Sequence, residues 1–225
     1  MIPEHNTIYN ADMFCKTKEF DDKSFDVTFT SPPYNRKRND KYSLYNDNID
    51  DYYEFLVSFT DECLRVTKRH VLVNIQKNYY NKVDVFKYIG HYSELLQEVL
   101  IWNKPNPMPR GGNCVINGYE FVFVLGDTPL TTNSTYIKNI CTIPVNHTND
   151  DCDTHKAIMS KEFCDWIVTN FTKNGDFILD PFFGYGTTGI SCMENNRFYC
   201  GIEIVKQYYE KALSNLRKPV QKHLF

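Results

Sequence analysis

The chain has 225 residues, enough to bury a full core in one large domain or in one domain with a small insertion. Its net charge is −3, so no global field draws it onto nucleic acid or an anionic membrane, and any such contact must use local basic patches. Its eight cysteines (Cys15, Cys63, Cys114, Cys141, Cys152, Cys164, Cys192 and Cys200) form no Cys-x-x-Cys pair, and the Cys152/His155 spacing has no second pair, so free thiols in a reducing compartment are expected and no metal site.

The first ten residues are polar and broken by Pro3, unlike a signal peptide, and no apolar run approaches the roughly 20 residues of a membrane span. A soluble intracellular protein is therefore expected. Ile8-Tyr9 reads as a short strand end before Asp12, and Asp26 to Thr30 as a buried strand that stops at Pro32. Asp51 to Thr67 predicts a helix, because Tyr52, Phe55, Leu56, Phe59, Cys63 and Val66 recur at three and four, with acids first and bases last. Val71 to Ile75, Glu98 to Trp102 and Tyr119 to Leu125 predict strands. Met159, Phe163, Trp166 and Ile167 mark a helix face, and Phe177 to Leu179 a buried strand. Gly186 to Glu194 opens another helix, Phe198 to Ile204 another strand, and Lys206 to Leu216 a closing helix. The alternation predicts an α/β domain with a doubly wound sheet of about seven strands. Two stretches break it: Asn35 to Asp50, where Arg36, Lys37, Arg38 and Lys41 interleave with tyrosines, and the Thr/Asn/Pro-rich Gly126 to Asp153.

Two motifs stand at strand ends. In Ser31-Pro32-Pro33-Tyr34 the prolines fix the backbone and remove donors, an aromatic offers a ring face, and a hydroxyl and free carbonyls offer polar contacts, an arrangement suited to a flat polar ring. A strand followed by an ordinary turn is the plainer reading. In Asp180-Pro181-Phe182-Phe183-Gly184-Tyr185-Gly186-Thr187-Thr188-Gly189 a strand, a glycine turn and a helix form a nucleotide-type binding element. Glu203 closes the next strand, where an acid can bind both ribose hydroxyls. Only one strand and one helix follow, so the element order is permuted relative to the usual dinucleotide fold.

Together these motifs resemble the S-adenosylmethionine-dependent DNA amino-methyltransferases, in the permuted class that carries the catalytic motif ahead of the cofactor motif. The similarity covers most of the chain: Asp26 to Asn35 as the catalytic strand and loop, Ile101 to Pro109 and Tyr119 to Val124 as middle strands, Thr154 to Trp166 as the helix beside the methionine end of the cofactor, and Asp180 to Gly189 with Gly201-Ile202-Glu203 as the cofactor side. Lys156 and Ser160 stand where the family usually has proline, and Tyr185 where a small residue is common. The resemblance implies a Rossmann-like, mostly parallel seven-stranded sheet in a single domain, 1–225, with a short target-recognition insertion at 103–153. It implies S-adenosyl-L-methionine bound by Asp12, Asp180, Pro181, Phe182, Phe183, Gly184, Gly186, Thr187, Thr188 and Glu203. It implies catalysis by Ser31, Pro32, Pro33 and Tyr34 on a base flipped out of DNA. Arg36, Lys37, Arg38 and Lys41, then Lys104 and Arg110, are the candidate DNA contacts.

In the family this chain resembles, serine before Pro-Pro-Tyr leans toward N4 of cytosine, so the resemblance implies that target, with N6 of adenine as the alternative. Methylation at a ring carbon would need a cysteine nucleophile, which this motif lacks. A protein-glutamine methyltransferase would carry asparagine at Ser31 and its glycine motif first, and an inactive DNA-binding module would not need the whole cofactor loop. DNA is the expected partner and a membrane is not. A homodimer and a cognate restriction endonuclease stay open.

Overall fold

Residues 1–37, 47–107, 115–134, 136–145 and 159–217 are described by a computed structural model, and along them strands and helices alternate. The strands are β1 (Thr7–Asn10), β2 (Phe25–Thr30), β3 (Thr67–Ile75), β4 (Leu96–Asn103), β5 (Tyr119–Leu125), β6 (Ile140–Thr142), β7 (Phe177–Asp180) and β8 (Phe198–Glu203). The helices are α1 (Met13–Thr17), α2 (Tyr52–Val66), α3 (Lys82–His91), α4 (Lys161–Phe171), α5 (Thr187–Glu194) and α6 (Lys206–Leu216). They build one sheet in the order β1-β8-β7-β2-β3-β5-β4-β6. The first five strands of that order run parallel, β5 runs antiparallel to β3 and β4, and β6 pairs parallel to β4.

Eight strands rather than seven make the sheet among the described residues. The extra one, β6, lies in the Thr/Asn/Pro-rich stretch and has only three residues. No periodicity shows over so short a run; its pairing of Cys141 with Trp102 defines it. Both β5 and β6 fall between residues 103 and 153, so that stretch supplies part of the sheet as well as loops. Helices α1 and α3 also go beyond the sequence expectation. The first is one turn capped by Asp12. The second buries Val85 and Tyr88 while Val83 and Phe86 face solvent, so apolar residues on both sides hide its period.

The core has a layer on each face of the sheet. On one, Leu56, Phe59 and Cys63 of α2 and Val85 and Tyr88 of α3 meet Val71, Val73 and Ile75 of β3. On the other, Phe163, Ile167 and Val168 of α4 and Ala212 of α6 meet Val27, Phe29, Leu72, Val122 and Val124. Each fully buried Phe or Leu contributes about 1.5–3 kcal/mol. The period-2 alternation along β3 and β5 thus sends Asn74 and Glu120 to the α4–α6 face, with Leu72 and Val122.

The chain leaves β2 toward β3 and leaves β7 toward β8, and β2 and β7 are neighbours. The crevice at their carboxyl ends is the topological switch point, where open α/β sheets bind ligands. No helix among the described residues is long and apolar enough to cross a membrane.

Candidate active site

Asp180, at the end of β7, joins the two motifs across that crevice. Its carboxylate accepts the Thr30 hydroxyl at 2.7 Å, the Thr188 hydroxyl at 2.7 Å and the Phe182 N–H at 3.1 Å. Thr30 immediately precedes Ser31, so one buried acid ties the Ser31–Tyr34 turn to the glycine turn. Burial pushes the Asp180 carboxyl up to about 6, opposed by the three donors.

The glycine turn is shaped from both sides. Gly184 and Gly186 have φ of +52° and +84°, in the left-handed region that a side chain disfavours. A Cβ on Gly184 would meet no atom within 4 Å, so the turn is open above that residue. Glu203, buried at the end of β8, accepts the Gly184 N–H and the Val205 N–H, each at 2.8 Å. Burial raises its pKa as well. Asp12 follows two residues after Asn10, the register partner of Glu203. One Asp12 oxygen caps α1 by accepting the N–H groups of Phe14 and Cys15 at 2.8 and 3.2 Å.

The Phe-Phe pair divides its work. Phe182 is partly exposed and packs on Phe55 and Phe59 of α2, at 5.8 and 5.3 Å between ring centroids. Phe183 points into the core, beneath two glycines: a Cβ on Gly201 would come within 2.4 Å of its ring, and one on Gly189 within 2.7 Å. Phe183, expected at the cofactor, is therefore a packing residue that explains Gly189 and Gly201. Pro181 and Thr188 are buried and Thr187 is partly exposed at the start of α5. Tyr185, unusual for the resemblance, packs against Tyr208 of α6 at 5.2 Å.

The Ser31–Tyr34 turn is held from outside itself. The Pro33 carbonyl accepts the Tyr52 hydroxyl at 2.7 Å, and the Tyr34 carbonyl accepts Nδ2 of Asn78 and of Asn81 at 2.7 and 2.8 Å. The Pro32 carbonyl accepts no hydrogen bond from the described residues. The Tyr34 hydroxyl lies 2.9 Å from Glu120 Oε2, 3.1 Å from Asn74 Oδ1 and 2.7 Å from Ser31 Oγ. Glu120 Oε1 accepts Lys104 Nζ at 2.9 Å, a pair whose side chains are 9% and 6% exposed. Lys104, expected at DNA, instead turns inward as the partner of Glu120.

The directions of these bonds follow from the donor inventory. A carboxylate and the Asn74 carbonyl, whose amide nitrogen is committed to the Phe121 carbonyl at 3.0 Å, can only accept. The Tyr34 proton therefore points at them, and the Ser31 hydroxyl donates to the Tyr34 oxygen. Burial, then the Glu120 charge, lifts the Tyr34 pKa well above the usual phenol range, so the phenol keeps that proton. Ser31 Oγ is left with lone pairs only, and the carbonyl of the next residue, Pro32, is unpaired among the described residues. Two acceptors on consecutive residues suit a group with two hydrogens to donate, such as an amine.

Of the candidate DNA contacts, Arg36 packs its guanidinium 5.4 Å from the Tyr34 ring centroid and donates to Gln76 Oε1 at 3.0 Å. Lys37 is exposed, with φ of +51°. The Asn35 and Arg36 N–H groups donate to Asp47 at 2.7 and 3.0 Å, which pins the base of the loop. Arg38, Lys41, Arg110 and the Thr154-His155 segment lie outside the described residues. Sequence reasoning missed Asn74, Asn78, Asn81 and Glu120. The available signal was a polar residue in an apolar strand, Val71-Leu72-Val73-Asn74-Ile75, and an acid at an inward position of β5.

A family model described as DNA methylase, N6_N4_Mtase, matches residues 25–140 and 130–214. The chain is 31% identical over 133 residues to the type II methyltransferase M.Cfr9I of Citrobacter freundii, covering 54% of this chain and 44% of that protein. It is 26% identical over 246 residues to the type II methyltransferase M.HinfI of Haemophilus influenzae, covering 95% of this chain and 68% of that protein. The chain thus spans less than half of the first relative and about two thirds of the second. Its fold is similar to that of the PvuII DNA methyltransferase (cytosine-N4-specific), with a TM-score of 0.78 at 18% identity, over 93% of this chain and 86% of that one.

Proposed function

This chain belongs to the N6/N4 DNA methylase family, and we propose that it transfers a methyl group from S-adenosylmethionine to the exocyclic N4 of a cytosine flipped out of DNA. The observation that carries this reading is the pair of acceptors on consecutive residues at the switch point, Ser31 Oγ, whose proton is committed to Tyr34, and the Pro32 carbonyl, which is unpaired among the described residues. An exocyclic amine is a poor nucleophile because its lone pair is delocalised into the ring. Accepting both of its hydrogens favours a tetrahedral nitrogen, frees the lone pair and stabilises the positive charge that develops. The Lys104–Glu120–Tyr34 chain keeps Ser31 turned as an acceptor at the moment of transfer. Tyr34 offers the ring against which the base stacks.

The residues of the glycine turn fit the methyl donor. Glu203 suits the ribose hydroxyls, the Asp12 carboxylate, two residues past the register partner of Glu203, suits an adenine amine, and Gly184 leaves room for close approach. When bound, S-adenosylmethionine supplies an electrophilic methyl on a sulfonium. The protein contributes alignment, and Asp180 fixes it by setting Thr30 and Thr188 on one carboxylate. Lys37 and Arg38 with Lys41 would grip the backbone beside the target, and the loops of 103–153 would read the sequence, as part of a restriction–modification pairing. The test is to incubate the protein with unmodified DNA and S-adenosylmethionine, digest to nucleosides and weigh them. N4-methylcytosine is expected. N6-methyladenine as the only product moves the reaction to adenine, and no methylated base on varied DNA overturns the reading.

A further inference from the structure

The loop after β3, which holds the Ser31–Tyr34 turn from outside, continues into a surface that has no part in the reaction described above. Asn78 and Asn81 hold the Tyr34 carbonyl and also brace each other, with Asn78 N–H donating to Asn81 Oδ1 at 2.7 Å and Asn81 N–H to Asn78 Oδ1 at 3.2 Å. Between them Tyr79 and Tyr80 stand out into solvent, 75% and 53% exposed, with ring centroids 5.4 Å apart. Lys82 Nζ lies 4.8 Å from the Tyr79 ring centroid. Beyond it, Lys77, Lys82, Val83, Phe86 and Lys87 line a surface cleft of about 580 Å³ with an apolar floor. Asp84, in the same first turn, is half-buried. Lys77 is tied to the 103–153 stretch, since Asn117 Nδ2 donates to its carbonyl at 3.0 Å.

We propose that Lys77, Tyr79, Tyr80, Lys82, Phe86 and Lys87 bind the DNA strand beside the target nucleotide. Three lysines gathered on a chain of net charge −3 match phosphates. Two exposed rings and an apolar floor match unstacked bases and sugars. The two asparagines lock this surface to the turn that receives the flipped base, so its position relative to Ser31 is fixed before DNA arrives. The inference rests on the DNA-methyltransferase reading above and extends it to a surface outside the motifs.

The test measures DNA affinity against salt, and KM for DNA in methyl transfer, for K77Q/K82Q/K87Q, for Tyr79→Ala and for a charge-matched control, K18Q/K173Q/K211Q. The lysine triple should lower the slope of log affinity against log salt by about 0.9 for each phosphate that is no longer neutralised. Tyr79→Ala should raise KM about fivefold or more, the lower end for removal of a base–aromatic stack. The control should change neither, and S-adenosylmethionine affinity should stay at the wild-type value in all three. An unchanged slope and KM in the first two variants would overturn the proposal. A dimer that Val83→Asp splits while DNA affinity holds would assign the face to a second copy of the chain instead. If the wild type methylates no DNA, the reaction reading fails by itself, and the salt slope still decides this surface.

Discussion

Apart from the Asp180–Thr30 bridge, the glycine turn closes on bonds from 2, 8 and 19 residues away, whereas the Ser31–Tyr34 turn is held by side chains 19, 40, 44, 47 and 86 residues away. The first is a local unit: strand, turn, helix and the next strand supply nearly everything it needs. The second has almost no bonds of its own and takes its shape from β3, β5, α2 and the start of α3. Local encoding leaves a motif in the sequence. Tertiary encoding leaves scattered polar residues whose purpose shows only when the sheet assembles.

Breaking the tertiary half at its charged end should have the largest effect. Lys104→Met strands the Glu120 carboxylate in the interior, and urea denaturation should show a loss of about 3–5 kcal/mol. Adding Glu120→Leu should return most of that stability, because a buried pair exchanged for apolar groups is often neutral. Turnover should stay low in the double variant, since the Tyr34 hydroxyl is then without its charged acceptor. Full recovery of turnover would show that the Lys104–Glu120 pair does not serve the turn.

Asp180 sits where the halves meet and gives a pH signature. Its folded pKa of about 6 lies above the ordinary carboxyl value of 3.8. The group therefore binds its proton more tightly folded than unfolded, so its contribution is fully present below pH 4 and is lost as pH rises through 6. Between pH 7 and pH 4, wild type should gain on the order of 3 kcal/mol relative to Asp180→Asn in parallel denaturation curves. Superimposable pH profiles for the two proteins would refute this account of the bridge.

Within the local half, Gly201→Ala drives a methyl into the Phe183 ring and should cost about 1–3 kcal/mol in thermal or urea unfolding. Phe183→Leu in the same chain should relieve part of it. The smallest effect is expected for Tyr52→Phe, which removes one bond to the Pro33 carbonyl, about 1 kcal/mol. It should lower kcat while S-adenosylmethionine affinity measured by calorimetry holds; an equal fall in both would mean that the two turns move as one.

The same contrast separates what is legible in the sequence from what is not. Ser31 to Tyr34, Asp180 to Gly189 and Glu203 can be placed at strand ends, because apolar runs give strands and the motifs follow them directly. The two core layers are legible from period 3.6 in α2 and α4. Lys104 is not, since a lysine is exposed by default and only the register of Trp102 against Glu120 reveals the acid that draws it inward. Phe183 reads as a ligand contact because it stands in a nucleotide-type motif, while its side chain answers to glycines at 189 and 201. The proton direction at Ser31 depends on Tyr34, on Asn74 of β3, on Glu120 of β5 and on Lys104 just past β4, which no single window contains.

The hairpin between β4 and β5 is closed at its root, where the Lys104 N–H donates to the Gly118 carbonyl at 2.7 Å. Farther along, Asn106 and Val145 exchange two hydrogen bonds, at 3.0 and 2.8 Å. A segment clamped at its base is thermodynamically separate from what lies below it, and doubling its length costs only about 0.6 kcal/mol. The part of the hairpin beyond the Lys104–Gly118 closure can therefore be lengthened while β4, β5 and the Glu120 they carry keep their places, and on the proposal that loops of 103–153 read DNA, a change of preference there would leave the Ser31–Tyr34 turn untouched.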